Sequence, residues 1–141
     1  MILLDTNVIS EPLKLAADAG VLAWIDAQSI DTLYLSAISL AELRFGIAAL
    51  PAGKRKETLH HGLEQRILPL ISDRILPFDA AASQTYAEIL SAARAQGNAI
   101  SNADGYIAAT AKRHGFMVAT RDASPFEAAG VTVINPCTAQ H

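Results

Sequence analysis

The sequence predicts an α/β fold in which helices cover a central parallel sheet. Short apolar runs alternate along the chain with longer stretches of helical period, which is the pattern of parallel strands joined by crossover helices. Each apolar run is nearly continuous rather than alternating, as expected of strands that are buried on both faces. With 141 residues, 51% of them hydrophobic, the chain is expected to form a single domain, 1–141.

The predicted elements follow one another in a regular order. The strand candidates cover 2–4, 33–35, 75–78, 117–119 and 132–134, and the helix candidates between them cover 21–28, 40–50, 54–71, 80–96 and 103–114. Within 54–71, the residues Leu59, Leu63, Ile67 and Leu70 recur at helical spacing. We expect them to form one apolar face that packs on the core or contacts a second subunit.

Composition and motifs exclude several classes of protein. No segment approaches the ~20 apolar residues of a membrane span, and the N-terminal apolar run meets Asp5 too early for a signal peptide. A cytoplasmic protein without membrane contact is therefore expected. The single cysteine, Cys137, cannot form an internal disulfide, and the histidines lack the spacing of a zinc site. Neither a glycine-rich phosphate loop nor a Gly-x-Ser-x-Gly nucleophile motif is present.

Four acidic residues occupy equivalent places in this scheme. Asp5 follows the strand "ILL", and Asp122 follows "MVATR". Glu42 lies in "SLAELRFG" just after the strand "LYL", and Asp104 lies in "SNADGYIAA" where a helix begins. Because strand ends and helix starts meet in one crevice of an open parallel sheet, we expect these four acids to converge.

Each acid also has a structural explanation. Ser39-x-x-Glu42 and Ser101-x-x-Asp104 fit the capping box, and the other two acids suit helix caps or turns. A fifth acid, Asp79 in "LPFDAAAS", is interpreted as a helix cap alone. Capping by itself, however, does not require an acid at four of these positions.

An acid cluster would need a counter-ion. Glu42 lies between Leu40, Leu43 and Phe45, so we expect it to be largely buried, where an unpaired carboxylate is costly. Neighbouring carboxylates repel one another and raise their own pKa values unless a cation is bound. Oxygen ligands of this kind suit Mg²⁺ or Mn²⁺, and the four acids are predicted to bind one of these ions.

This combination of segments resembles the PIN-domain ribonucleases, and most closely the VapC/FitB-like toxins of bacterial type II toxin–antitoxin pairs. The matching segments are "ILLDTNVISEP", "LYLSAISLAELRFGIAALPAGKR", "ILPFD", "ISNADGYIAATAKRHGFMVATRD" and "FEAAGVTVINP". They cover most of the chain in the family's order. The resemblance implies a PIN-like three-layer α/β/α sandwich with a central parallel sheet. It also implies an Mg²⁺- or Mn²⁺-dependent endoribonuclease that hydrolyses RNA phosphodiester bonds.

The resemblance assigns roles to particular positions. Asp5, Glu42 and Asp104 match the family's metal-binding and catalytic acids, and Asp122 matches the fourth acidic position of FitB-like members. Many VapC-like relatives carry Thr-Arg-Asn and then an Asp before Phe, whereas "TRDASPF" has Asp122 at that Asn and Pro125 at that Asp. Two further positions match residues that support the site by hydrogen bonding, namely Asn7 and Thr120.

The net charge of −3 does not by itself favour a nucleic-acid partner. Of the 14 acidic residues, however, 10 remain against 11 basic ones once the four candidate ligands are set aside. The candidate RNA contacts are Arg44, Lys54, Arg55, Lys56, Lys112, Arg113 and Arg121. For the run 54–56 a solvated loop is the more common explanation, because short basic runs are frequent on protein surfaces.

The resemblance also implies partners: a cognate antitoxin that neutralises the chain, DNA reached only indirectly through that antitoxin, and a second copy in a homodimer. The alternative function is a nuclease-silent PIN module that acts mainly as the partner of a DNA-binding antitoxin in operon autoregulation. A phosphatase of the haloacid-dehalogenase type is disfavoured, because the second acid that it needs two residues after Asp5 is Asn7 here.

Overall fold

The computed structural model describes residues 1–138, which form a parallel sheet between two layers of helices. The strands are β1 Ile2–Leu4, β2 Leu33–Ser36, β3 Ile75–Leu76, β4 Met117–Ala119 and β5 Val133–Ile134. Their order across the sheet is β3-β2-β1-β4-β5, and every neighbouring pair is parallel. All strands therefore end at the same edge, which we call the carboxyl edge. The predicted three-layer α/β/α class is confirmed.

Helices connect the strands on both faces of the sheet. The α-helices are α1 Thr6–Ile9, α2 Ala19–Ala27, α3 Ala37–Ala48, α4 Lys54–His61, α5 Leu68–Ile71, α6 Ala80–Ala95, α7 Asn102–His114 and α8 Ser124–Ala128. A π-helical segment, Gly62–Ile67, joins α4 to α5. Short 3₁₀ turns cover Glu11–Leu13, Ile30–Thr32 and Ser72–Arg74. No helix in this part of the chain combines the length and the apolar character needed to cross a membrane.

Strand β1 lies at the centre of the sheet and contributes side chains to two cores. Ile2 and Leu4 pack in the core beneath α1 to α5, whereas Leu3 packs on the opposite side with α7 and α8. This alternation is what the pleat of a strand buried on both faces requires. Helices therefore cover both faces of the sheet and leave its carboxyl edge as the open crevice.

Helices α6 and α7 approach each other closely beside the start of α7. A Cβ atom added at Gly105 would lie 2.8 Å from Leu90 Cδ1 and 2.9 Å from Tyr86 Cε2. Such contacts are shorter than packed carbon atoms allow, so a side chain at Gly105 would force Leu90 and Tyr86 to move. The glycine thus permits the close packing of α6 against the first turn of α7, which carries Asp104.

Several element boundaries differ from the prediction. Strand β3 stops at Leu76 rather than at 78, because Pro77 has no N–H to donate to the sheet, and β5 covers 133–134 rather than 132–134. Helix α2 begins at 19 rather than 21, after its cap Asp18, and α3 begins at 37 rather than 40, because Ser36 is its cap. The helices α1 and α8 were not predicted.

The predicted helix 54–71 is interrupted, and its apolar face is only partly as expected. Leu63 is buried and Leu59 and Ile67 are partly buried, but Leu70 is 60% exposed. The π segment places one additional residue in a turn, so the next core position after Leu63 is five residues on, at Leu68. Leu70 is therefore not a core residue, because the expected core face assumed an unbroken 3.6-residue period; a contact of Leu70 with a second subunit stays a prediction.

Two leucines of the predicted apolar face provide a matched test of this register. Leu63→Ala should destabilise the protein by about 2–5 kcal/mol, because it removes a side chain that is 1% exposed. Leu70→Ala should change the free energy of unfolding by less than about 0.5 kcal/mol. Urea unfolding of both variants measures the difference, and equal losses would contradict the π register.

Candidate active site

Asp5 is the buried acid at the end of the central strand. Its backbone N–H donates to Ala119 O of β4 at 2.9 Å, so it continues the pairing of β1 with β4. The carboxylate is 5% exposed; Oδ1 accepts from Thr6 N at 2.8 Å, and Oδ2 accepts from the hydroxyl of Thr120 at 2.8 Å. Asp5 is also the N-cap of α1, so the predicted capping role and a place in the site coexist in one residue.

Glu42 reaches the same edge from α3, but it is exposed rather than buried as predicted. Its sequence neighbours do not share its face, because Leu40, Leu43 and Ile47 turn towards the core while Phe45 is 73% exposed. The hydroxyl of Thr6 donates to Glu42 Oε1 at 2.8 Å. This bond links the acid to the first turn of α1.

The capping box predicted for Glu42 is also wrong. Helix α3 is capped by Ser36, whose hydroxyl accepts from Ser39 N at 3.0 Å, so Ser39 lies inside the helix. Glu42 is therefore too far along the helix to serve as the acid of a capping box. One structural explanation for this acid is removed.

Asp104 lies in the first turn of α7, where the predicted cap is observed. The hydroxyl of Ser101 accepts from Asp104 N at 3.2 Å and lies 2.9 Å from Asp104 Oδ2, to which it can donate. As with the other two acids, one carboxylate oxygen is held by a Ser or Thr hydroxyl. The three acids are thus fixed in the same way by three different elements.

The charges of these acids act on one another. The pKa of the Asp5 carboxyl is raised above its usual range, chiefly because burial disfavours the charged form. The hydrogen bonds from Thr120 and Thr6 oppose this rise, and the nearby charges of Asp104 and Glu42 add to it. Within residues 1–138, no three His, Cys, Asp or Glu side chains already stand close enough to enclose a metal ion.

Asp122 is placed differently from the other three acids. It is exposed, and its backbone N–H donates to Thr120 Oγ1 at 3.0 Å. In the described part of the chain, the carboxylates that raise the pKa of Asp5 are those of Asp104 and Glu42, and Asp122 is not among them. The turn that carries Asp122 therefore contacts Asp5 through Thr120, whereas the charge of the Asp122 carboxylate does not contribute to the raised pKa of Asp5.

Thr120 and Asn7 connect this turn to the start of α1. The Thr120 hydroxyl donates to Asp5 and accepts from Asp122 N at 3.0 Å and from Asn7 Nδ2 at 3.4 Å, which uses its one donor and two acceptor sites. Asn7 Oδ1 in turn accepts from Arg121 N at 3.1 Å. The sequence did not single out Thr6, although its place between Asp5 and Asn7 was visible.

The candidate RNA contacts do not form one surface. Arg44 Nη2 pairs with Glu64 Oε1 at 2.7 Å, Lys56 Nζ donates to Ala48 O at 3.0 Å, and Arg121 pairs with Glu11. The other four divide between two places: Lys54 and Arg55 at the start of α4, and Lys112 and Arg113 at the far end of α7. Eight residues of helix separate Lys112 from Asp104, which is roughly 12 Å along the axis.

A groove of about 820 Å³ lies beside Glu42. Leu13, Leu43, Ile47, Leu50 and Leu59 give it an apolar wall. Its remaining lining includes the basic residues Lys14, Lys54 and Arg55 and the fully exposed Leu15. The groove therefore combines apolar and positively charged surface next to the acids.

Two acids outside the candidate ligand set, Asp79 and Glu11, have structural contacts. Asp79 caps α6 by accepting from Ala82 N at 2.9 Å, which confirms its predicted structural role. Glu11, which the sequence did not indicate, is only 2% exposed. Its partners lie up to 110 residues away along the chain, so no local pattern could have identified it.

Comparisons with known proteins agree with this geometry. The PIN domain family matches residues 2–131. A VapC ribonuclease, Y4jK of Sinorhizobium fredii, is 62% identical over 136 residues, covering 96% of this chain and 97% of the relative. Toxin FitB of Neisseria gonorrhoeae is 57% identical over 136 residues, covering 96% and 98%.

A solved structure of FitAB bound to an IR36 DNA fragment has the same fold. Its matching chain superposes with a TM-score of 0.95 and 54% sequence identity, covering 100% of this chain and 99% of that one. Both the sequence and the three-layer architecture therefore lead to the same assignment. This chain belongs to the PIN-domain family.

Proposed function

We propose that this chain is the ribonuclease toxin of a toxin–antitoxin pair and that its cleavage of RNA depends on Mg²⁺ or Mn²⁺. The observation that carries the proposal is the buried Asp5 carboxylate, whose pKa is raised by burial and by two further acids at the same edge. The 62% identity to a VapC ribonuclease supports the reaction class. The 57% identity to toxin FitB supports the biological role.

The donor set fits a hard divalent cation. Asp5, Glu42 and Asp104 supply only carboxylate oxygens, and each has an oxygen or lone pair beyond those used by its hydroxyl partner. Mg²⁺ is commonly held by one or two carboxylates together with water, so a closed protein cage is not required. When bound, such an ion neutralises phosphate charge and lowers the pKa of a water molecule.

The chain's own residues perform the positioning. Asp5 is held rigidly by the Thr6 amide and the Thr120 hydroxyl, and we assign it as the central ligand. Glu42 and Asp104 are assigned as the flanking ligands, oriented by Thr6 and Ser101. Asp122 is assigned as the fourth acid, and Asn7 and Thr120 as supporting residues.

The basic residues that share a groove with Glu42 are the best candidates for RNA contacts. Lys54 and Arg55 line the groove that also includes Glu42, so they can bind phosphates on either side of the cleaved bond. The guanidinium groups of Arg44 and Arg121 are already paired with acids. Lys112 and Arg113 would contact only RNA that extends around α7.

The apolar groove provides the surface for the antitoxin. An antitoxin segment lying there would cover Glu42 and would exclude RNA, which accounts for neutralisation without a separate inhibitory site. The FitAB complex bound to a DNA fragment supports a complex of this chain with its antitoxin on DNA, in which we assign the DNA contact to the antitoxin. The second candidate function is a nuclease-silent module in operon autoregulation, with which the same complex is equally compatible. A homodimer stays a prediction.

Substitution of the central acids tests the nuclease directly. Asp5→Asn and Asp104→Asn should each lower the rate of RNA cleavage by at least ~100-fold, the scale of losing one preorganised electrostatic group. The matched control is Asp79→Asn, which changes an acid after the edge strand β3 and retains a good cap. Cleavage by purified chain is measured with Mn²⁺ and with chelator. Parent-like cleavage by folded Asp5→Asn would contradict the proposed site.

The raised pKa of Asp5 predicts how stability depends on pH in metal-free protein. Because the folded state favours the protonated carboxyl, stability is lost as pH rises through the folded pKa. The stability of Asp5→Asn relative to the parent should therefore increase as pH rises from acid to neutral. With Mn²⁺ at 100 times its Kd, the parent should gain about 2.7 kcal/mol and the variant much less. Chemical denaturation at acid and neutral pH, with and without Mn²⁺, measures both effects. A stability difference that does not change with pH, or an equal gain of the two proteins with Mn²⁺, would contradict the account.

The groove assignment is tested on an exposed side chain. Leu15→Glu should weaken binding of the cognate antitoxin by ~10-fold or more, because it places a charge in an apolar interface. Ile30→Glu changes an exposed residue outside the groove and serves as the control. Titration calorimetry measures both affinities. Equal affinities would place the partner elsewhere.

Cleavage by the free chain separates the two functions. Protein purified away from its partner should cut RNA, and adding the partner should stop cleavage. Metal-supplemented free protein that leaves RNA intact while its complex binds operator DNA would favour the nuclease-silent module.

A further inference from the structure

A buried acid outside the candidate ligand set holds the turn that carries Asp122. Glu11 lies in the 3₁₀ turn after α1 and is 2% exposed. Its Oε1 accepts from Asp18 N at 2.9 Å. Its Oε2 pairs with Lys14 Nζ at 2.8 Å and with Arg121 Nη1 at 3.0 Å. Both carboxylate oxygens are therefore used.

The charge of Glu11 is maintained by these partners. Burial by itself raises the pKa of the carboxyl. The hydrogen bonds from Lys14 and the Asp18 amide, together with the charges of Lys14 and Arg121, outweigh burial, so the pKa is lowered. A buried carboxylate is tolerated only when it is paired and hydrogen-bonded in this way. The charged carboxylate of Glu11 is therefore the favoured form, and it pairs with Arg121.

Arg121 is fixed at both its backbone and its side chain. Its backbone N–H donates to Asn7 Oδ1 at 3.1 Å, and its guanidinium contacts Glu11 and, at 3.8 Å, Asp18 Oδ2. The contacts with Glu11 and Asp18 bring the segment before α2 against the turn after β4. The guanidinium is therefore engaged by acids of this chain, which leaves it poorly placed to bind RNA phosphates.

The turn after β4 is held mainly by side-chain contacts. Strand β4 ends at Ala119 and α8 begins at Ser124; between them, Thr120 N donates to Ile134 O at 3.0 Å, which continues the pairing with β5 by one residue. Beyond Thr120, Arg121 is bound by Asn7 and Glu11, and Asp122 N donates to Thr120 Oγ1. Because Asp122 directly follows Arg121 in the chain, we expect a displaced Arg121 to change the position of Asp122.

We propose that Glu11 is a positioning residue that acts through Arg121 to fix the turn carrying Asp122 at the metal site. The proposal rests on the proposed function, because it takes Asp122 as part of that site. It assigns Arg121 a structural contact with Glu11 in place of an RNA contact. It also explains why a buried carboxylate lies against the turn that carries Asp122.

Metal affinity provides the first test. Glu11→Gln and Arg121→Met should each weaken Mn²⁺ binding to the purified full chain by ~10-fold, the scale of losing a residue that orients a ligand. The double variant should be no weaker than the weaker single variant, because both changes break the same contact. Asp79→Ala is the control: losing the α6 cap should lower the stability of the fold but leave Mn²⁺ affinity unchanged. Titration calorimetry measures all four.

Amide exchange provides a second readout that needs neither metal nor cleavage. The Arg121 and Asp122 amides should lose protection by ~10-fold in Glu11→Gln and Arg121→Met, while the Asp5 amide, bonded to Ala119 O, should not. If Glu11→Gln fails to fold, Arg121→Met tests the proposal instead. We expect this variant to fold, because the Arg121 side chain is 33% exposed. Parent-like affinity and protection in Arg121→Met would overturn the proposal. If the parent protein binds no Mn²⁺, the metal part of the proposed function is contradicted. Amide protection of Arg121 and Asp122 in the variants then tests the positioning role of Glu11 by itself.

Discussion

The arrangement of the site depends on one buried carboxylate at the end of the central strand. Asp5 is 5% exposed, and the Thr6 amide and Thr120 hydroxyl each bind one of its oxygens. Its position follows from the topology, because β1 lies at the centre of the sheet and its end faces the open crevice. Burial and neighbouring acids make its charge unfavourable, so a bound cation would stabilise the folded protein. The metal-free protein is thus less stable than it would be without this charge, and the same carboxylate is already in place to bind a cation.

The other acids are fixed by neutral hydroxyls rather than by basic residues. Thr6 holds Glu42 and Ser101 holds Asp104. A hydroxyl orients a carboxylate without neutralising it, so the negative charge stays available for a cation. Among residues 1–138, Glu11 is the buried acid with cationic partners; it is outside the proposed ligand set and contacts the adjacent turn through Arg121. Charge pairing therefore distinguishes the positioning acid from the proposed ligands.

The sequence predicted those features that follow from strand order and helix starts. The parallel sheet, the edge shared by Asp5 and Asp104, and the caps at Asp79 and Ser101 all follow from local pattern. The exposure of Glu42 was mispredicted, because adjacent residues in a helix do not share a face. The π segment inserts a residue without a distinctive local signal. The burial of Glu11 depends on partners that only the folded chain brings together.

The central claim is that the acids at the carboxyl edge share a divalent ion anchored by Asp5. The most direct measurement is anomalous diffraction from crystals of the free chain grown with Mn²⁺. The account predicts the strongest anomalous peak in direct contact with an Asp5 carboxylate oxygen and beside Asp104, and its loss in Asp5→Asn. A principal Mn²⁺ peak away from Asp5, or the same peak retained in Asp5→Asn, would contradict it.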